Sequence, residues 1–208
     1  MRTKIGIDFD NTIASYDGVF KYISAKFLRN IKINKFNKEN FKKEILRFGG
    51  LSKWKKIQSL VYGKYINLAK IFPGFLEFLV LSKFRKNEIY IVSHKTKYGY
   101  FGGRRFLLRN KSLNWIKSKL IFKGNEFLKK ENIFFESKKR DKIRKIDNLK
   151  CGYFIDDLKN IFFHNNFPRN TKKILFSQNT KNKIKNLKSL NSWREIGFFF
   201  INLGQPKK

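Results

Sequence analysis

Apolar residues in this chain fall into short runs separated by longer amphipathic stretches. The runs are Lys4-Ile5-Gly6-Ile7-Asp8, Glu88-Ile89-Tyr90-Ile91-Val92, Asn132-Ile133-Phe134-Phe135, Gly152-Tyr153-Phe154-Ile155 and Lys173-Ile174-Leu175-Phe176. Each is brief, apolar and bounded by polar residues, the pattern of a strand buried on both faces. Helical patterns alternate with them over Phe75 to Phe84, Arg105 to Leu120, Asp141 to Leu149 and a closing segment near Trp193, with Pro73-Gly74 marking the start of the first. Strand-helix alternation predicts an α/β fold, a mostly parallel sheet covered by helices.

One stretch breaks the alternation. Tyr16 to Leu28, Phe41 to Phe48, Ser52 to Leu60 and Tyr62 to Ile71 each carry an apolar face at helical spacing, and Gly49-Gly50 separates two of them. A structureless loop of that length is improbable in a compact domain. The expected organisation is therefore a core of residues 1–15 and 72–208, with residues 16–71 a small helical insertion over the carboxyl ends of the strands. No internal repeat and no Pro- or Ser-rich linker interrupts this, and no oligomeric state is specified.

Composition narrows the class. The chain has 208 residues, 41% of them hydrophobic and 24 of them Phe, enough to bury a core and too apolar for disorder. No window approaches the apolar length of a transmembrane helix, and the N-terminus lacks the apolar region and cleavage site of a signal peptide. Cys151 is alone and cannot form an internal disulfide. The expected compartment is the cytoplasm, with no membrane partner.

The charge is extreme, 48 Lys plus Arg against 15 Asp plus Glu for a formal +33. A nucleic-acid or anionic-surface partner is one reading. Compositional bias is the other, and it is favoured here: the excess is mostly Lys, accompanied by heavy use of Asn, Ile and Phe, and it is scattered from Lys4 to Lys208. Either way, such a field draws in anionic substrates.

The candidate chemistry begins directly after the first strand, at Asp8-Phe9-Asp10-Asn11-Thr12. In an open parallel sheet, ligands bind beyond the carboxyl ends of the strands. A carboxylate there can attack phosphorus to give an aspartyl-phosphate. A second one can protonate the leaving oxygen and then deprotonate water. Like charges this close repel unless a cation lies between them, which points to Mg²⁺. Taken alone, the pair can equally be a turn cap. Three further features follow in order. Ser93 closes the second strand, where a hydroxyl and backbone N–H groups can hold a phosphoryl oxygen. Lys138-Lys139-Arg140-Asp141-Lys142-Ile143 opens a helix, and Asp156-Asp157 ends the fourth strand. Four of only 15 acidic residues thus sit at two strand ends, a concentration that favours metal binding.

Together these features resemble the haloacid dehalogenase (HAD) superfamily, over Ile5 to about Asn160. The segments Trp54 to Tyr62, Ser93-His94-Lys95-Thr96 and Phe134 to Ile146 further resemble an uncharacterised bacterial group within it. The resemblance implies a Rossmann-like parallel sheet flanked by helices, with a cap inserted after strand one and Phe72-Pro73-Gly74 as the return to the core. It implies Asp8 as nucleophile and Mg²⁺ ligand, Asp10 as general acid/base with its backbone carbonyl a second ligand, and Ser93 on the phosphoryl group. Thr12 would support the loop and the substrate. Lys142 would neutralise charge, with Lys139 in reserve, and Asp156 and Asp157 would complete the metal shell. Members that cleave carbon–halogen or carbon–phosphorus bonds usually lack the second Asp, so Asp10 argues for phosphate esters.

Secondary candidates for substrate contact are His94, beside Ser93, and Arg104 in Gly102-Gly103-Arg104-Arg105, whose fork could take a second phosphate or carboxylate. Their plainer readings are a backbone-bonded loop histidine and a solvated arginine. His164 and Cys151 read as structural, and Trp54, Gln58 and Tyr62 as one helical face in the insertion. The expected function is a Mg²⁺-dependent phosphatase for a small phosphorylated metabolite. The alternatives are a phosphatase for nucleic-acid ends and a non-catalytic binding protein of the same fold.

Overall fold

The structure, a computed structural model, describes residues 2–27, 38–122, 124–177 and 187–203. Leu28, the expected end of the first inserted helix, and the rest of residues 28–37 lie outside them. The principal elements in chain order are β1 (Lys4–Ile7), α1 (Asp17–Phe27), α2 (Lys38–Ser59), α3 (Phe75–Phe84), β2 (Glu88–His94) and the hairpin β3 (Tyr98–Phe101) with β4 (Arg104–Leu107). There follow α4 (Leu108–Lys119), β5 (Ile133–Glu136), α5 (Lys139–Asn148), β6 (Tyr153–Asp156), α6 (Lys159–Phe162), β7 (Lys172–Phe176), β8 (Lys188–Leu190) and α7 (Trp193–Ile201).

Among the described residues, six strands form one sheet in the order β8-β7-β6-β1-β2-β5, and every pair within it is parallel. This is the doubly wound α/β arrangement the alternation predicts. The sheet grows from β1 to one side through β2 and β5, then resumes on the other side at β6. Such a reversal opens a crevice beyond the carboxyl ends of the strands that flank it, here β1 and β6.

The central strand explains its own sequence. Ile5 and Ile7 are fully buried and pair with Tyr153 and Ile155 on one side and Ile89 and Ile91 on the other. Gly6 is required by close packing: a Cβ there would lie 2.6 Å from a ring carbon of Phe154 and 3.0 Å from Cys151 Sγ. Phe154 and Cys151 belong to a cluster with Val92, Ile143, Ile146 and Phe162, which ties α5 to the sheet. Cys151 is thus a packing residue, and burial pushes its thiol up to about 12.

The chain divides into two compact units, Met1–Ala14 with Ile71–His94 and Leu120–Lys208, and Ser15–Lys70 with Lys95–Lys119. The second unit thus holds residues 95–119 beside the expected insertion of residues 16–71. The physical reason lies inside the second unit. Tyr100 N–H donates to Ser59 Oγ at 2.9 Å, and the Trp115 indole donates to the Ala69 carbonyl at 3.2 Å. The hairpin and α4 therefore build on the inserted helices.

Other local departures have causes of the same kind. The helix expected over Arg105 to Leu120 begins at Leu108, because Arg104–Leu107 is drawn into the hairpin. The helix expected over Tyr62 to Ile71 is instead a π-helical turn at Leu60–Lys64, a 3₁₀ turn at Ile66–Leu68 and a short strand at Lys70–Ile71. Gly63 sits where a Cβ would come within 2.8 Å of Phe106 Cβ, so this segment is shaped by the hairpin. The break anticipated at Gly49-Gly50 is present inside α2, where Gly50 has φ 62°. Among the described residues, no helix is long and apolar enough to cross a membrane.

Candidate active site

The residues that carry the expected chemistry gather at the crevice end of β1 and β6. Asp8 follows β1, and its N–H donates to the Ile155 carbonyl at 2.9 Å, extending the ladder by one residue past the strand. Asp156 is the last residue of β6 and is fully buried. α5 delivers Lys142 to both. Its Nζ donates to Asp8 Oδ1 and to Asp156 Oδ2, each at 2.6 Å, short charge-assisted contacts between buried side chains. Ile143 and Ile146 anchor the face of α5 that makes this reach possible. Lys139, one turn earlier, is only half-buried. The second oxygen of Asp156 accepts from Leu158 N–H at 2.9 Å, so its carboxylate is fixed from both sides.

The electrostatics follow from burial. Burial pushes the Asp8 carboxyl up to about 6; the Lys142 charge draws it down, while Asp156 and Asp10 push it further up. Burial by itself would lower the Lys142 ammonium. Asp156 and Asp8 outweigh that and hold it above its usual range. Lys142 is therefore cationic at any physiological pH.

Asp8, Asp156 and Asp157 each offer a carboxylate oxygen, all within 4.8 Å of one another. Two oxygens bound to one octahedral Mg²⁺ at about 2.1 Å stand roughly 3 to 4 Å apart. The three carboxylates thus need to close by at most about 2 Å to share one ion. Lys142 is a single ammonium set between the buried carboxylates of Asp8 and Asp156, and a divalent cation would neutralise the negative charge that the pair retains. The donor set, all hard oxygens, suits Mg²⁺.

The loop after β1 is held as a tight turn. Asn11 takes φ 58°, a left-handed conformation that Asn tolerates. Ile13 N–H and Ala14 N–H both donate to the Phe9 carbonyl, and Asn11 N–H donates to the Ala14 carbonyl. Asp10 is half-buried in this turn and near enough to Asp8 for its charge to be felt. The Trp193 indole N–H donates to the Thr12 carbonyl at 2.8 Å, a bond spanning 181 residues. Sequence reasoning gave Trp193 no such role. The helix it opens is the closing segment expected near Trp193; Ser192 Oγ caps it by accepting from Glu195 N–H, and Glu195 Oε2 accepts from Asn191 N–H. Nothing in that local signal discloses the reach to Thr12.

Ser93 is the last residue but one of β2, beside β1, and its hydroxyl and that of Thr12 are buried with no hydrogen-bond partner. A buried orphan hydroxyl costs about 1–3 kcal/mol, and an oxygen bound at this end of the sheet would offer either one a partner. His94 is exposed, with Nε2 2.9 Å from the Ser137 carbonyl. A carbonyl only accepts, so Nε2 carries the proton. Arg104 lies in the second compact unit, exposed on β4. His164 sits in a turn after α6, where its Nδ1 accepts from Asn166 N–H, a structural contact.

No protein-family model and no curated protein matches the sequence. Solved structures match along nearly the whole chain. A HAD hydrolase of family IA, variant 3, from Entamoeba histolytica aligns with a TM-score of 0.57 at 13% identity, covering 94% of this chain and 95% of its own. A haloacid dehalogenase-like family hydrolase from Streptococcus pneumoniae gives 0.55 at 13%, covering 96% and 98%. The HAD hydrolase YfnB from Bacillus subtilis, in a magnesium-bound form, gives 0.55 at 11%, covering 95% and 98%. The fold of this chain is that of HAD-like hydrolases.

Proposed function

We propose that this chain is a Mg²⁺-dependent phosphoric monoester hydrolase that works through an aspartyl-phosphate on Asp8. The observation that carries the reading is the pair of 2.6 Å contacts from Lys142 to Asp8 and Asp156, with Asp157 in reach of both carboxylates. This is a nucleophile, a fixed cation and a metal-binding carboxylate set in one buried place. The fold shared with magnesium-bound YfnB supports it.

Asp8, Asp156 and Asp157 would hold Mg²⁺, which when bound supplies positive charge to the phosphate and offsets the carboxylates. In the first step an Asp8 carboxylate oxygen attacks phosphorus as the bond to the leaving oxygen breaks. Asp10 gives that oxygen its proton. In the second step Asp10 takes a proton from water, whose oxygen attacks the same phosphorus and frees Asp8 and inorganic phosphate. Lys142 keeps Asp8 ionised and opposes the charge that accumulates on the phosphoryl oxygens. Ser93 and Thr12 offer their unpaired hydroxyls to hold oxygens or backbone. Phosphoryl transfer through a loose transition state asks mainly for such position and charge.

The substrate is sought first among small phosphorylated metabolites. A phosphate-release screen over nucleotides, sugar phosphates and 3′- or 5′-phosphorylated oligonucleotides, with and without Mg²⁺, reads the activity. Asp8→Asn is expected to fold and show no turnover, a loss of at least roughly 10⁴-fold. Undiminished turnover by that variant rules the mechanism out.

A further inference from the structure

The positive charge is not shared evenly. Segments 15–70 and 95–119, the second compact unit, hold 22 Lys plus Arg against 3 Asp plus Glu, while the rest of the chain holds 26 against 12. Between Lys95 and Lys119 there is no acidic residue at all. Scatter along the sequence therefore conceals a concentration in the fold. The β3–β4 hairpin carries Arg104 and Arg105 and is preceded by Lys95 and Lys97.

That hairpin has two unlike faces. Its register pairs Tyr98 with Leu107, Gly99 with Phe106, Tyr100 with Arg105 and Phe101 with Arg104. One face is seated on the inserted helices: Gly99 admits Ser59 so closely that a Cβ would come within 2.8 Å of its Oγ, and Phe101 packs edge-on to Phe27 at 6.2 Å. Strand alternation puts Tyr98, Tyr100 and Arg105 on the other face. Tyr100 is 58% exposed. The Arg105 guanidinium lies 4.8 Å over the Tyr98 ring and Lys97 Nζ lies 5.2 Å from it. Two tyrosines two residues apart on one strand stand roughly 7 Å from each other, with cations between and beside them.

We infer that this face is a binding platform for single-stranded nucleic acid. Rings spaced along an anchored strand can stack successive unpaired bases, while Arg105 and Lys97, both beside the Tyr98 ring, meet the phosphates between them. A duplex offers no such base faces. A membrane surface fits the chemistry less well, because the tip of the hairpin is Gly102-Gly103 and has no apolar side chain to insert. The inference stands apart from the proposed hydrolysis, since it involves none of the site residues of the first unit and needs no Mg²⁺.

The test is fluorescence anisotropy of a labelled, mixed-sequence single strand of about 20 nucleotides, in EDTA, across about 50 to 200 mM salt. The full chain is expected to bind with affinity that falls steeply with salt. Tyr100→Ala is expected to weaken binding at least about fivefold, and Lys97→Ala with Arg105→Ala to reduce the log-log salt slope by about 1.4. The control, Lys83→Ala with Lys130→Ala in the first unit, should leave affinity within about twofold. Unchanged melting temperatures establish that the exposed substitutions leave the fold intact. Equal weakening by the control with no effect of Tyr100→Ala would assign binding to net charge and overturn the platform. So would equal competition by a duplex, or by phosphatidylserine vesicles, through the same hairpin residues.

Discussion

Lys142 is the residue on which the site's electrostatics turn. It is a lysine in a chain rich in lysines, yet it is 1% exposed and bonded to two carboxylates from different strands. Removing it leaves both buried anions without their partner. Lys142→Met is therefore expected to cost about 3–5 kcal/mol of stability, read as a lower melting temperature in EDTA. Added MgCl₂ should recover part of that loss by supplying positive charge to the same carboxylates. A melting temperature equal to wild type in EDTA would mean that Lys142 does not neutralise them. The motif order in the sequence, and the buried residues Ile143 and Ile146 that follow Lys142, singled it out over Lys139. The simultaneous contact to Asp156 was not legible, because nothing local to α5 tells how far β6 stands from β1.

At the scale of elements, β1 has to carry Asp8 to its place without distortion. Its glycine is the position where sheet packing and site geometry meet. Gly6→Ala would drive a methyl into Phe154 and Cys151 and is expected to destabilise by about 1–3 kcal/mol. Because Phe154 also lies 5.3 Å under Lys142 Nζ, turnover should fall more than stability alone explains. Denaturant melts and phosphate release measured on the same preparation separate the two effects. Elements with strong periodicity were readable in advance: α3 spans the expected Phe75 to Phe84, and the five expected strands are present. β8 was missed, since Lys188-Ser189-Leu190 is three residues of mixed polarity at the sheet edge. The hairpin was missed because its glycines and the following helix pattern masked the alternation of Tyr98, Tyr100 and Phe106.

At the scale of the whole molecule, the site loop is secured from the far end of the chain. Trp193 is 1% exposed, packs on Phe75 at 4.6 Å and Phe176 at 5.7 Å, and holds the Thr12 carbonyl. Trp193→Phe keeps an aromatic there but removes the donor, leaving a buried carbonyl unpaired at about 1–3 kcal/mol. The expected result is a lower melting temperature together with a reduced kcat, since the turn carrying Asp10 loses its tether; an unaltered kcat would show that the bond serves stability alone. The sequence by itself determined the strand order of chemistry: apolar runs buried on both faces specify a parallel sheet, and carboxylates placed at the ends of such runs must emerge at one edge of it. Those are local rules, and they need no knowledge of distant partners. Only the tertiary structure decided that Lys142 bridges two strands, that Trp193 grips Thr12, and that residues 95–119 join the inserted helices with most of the charge excess. Each depends on contacts between segments far apart in the chain, and the energy of such contacts leaves no periodic trace in either segment alone.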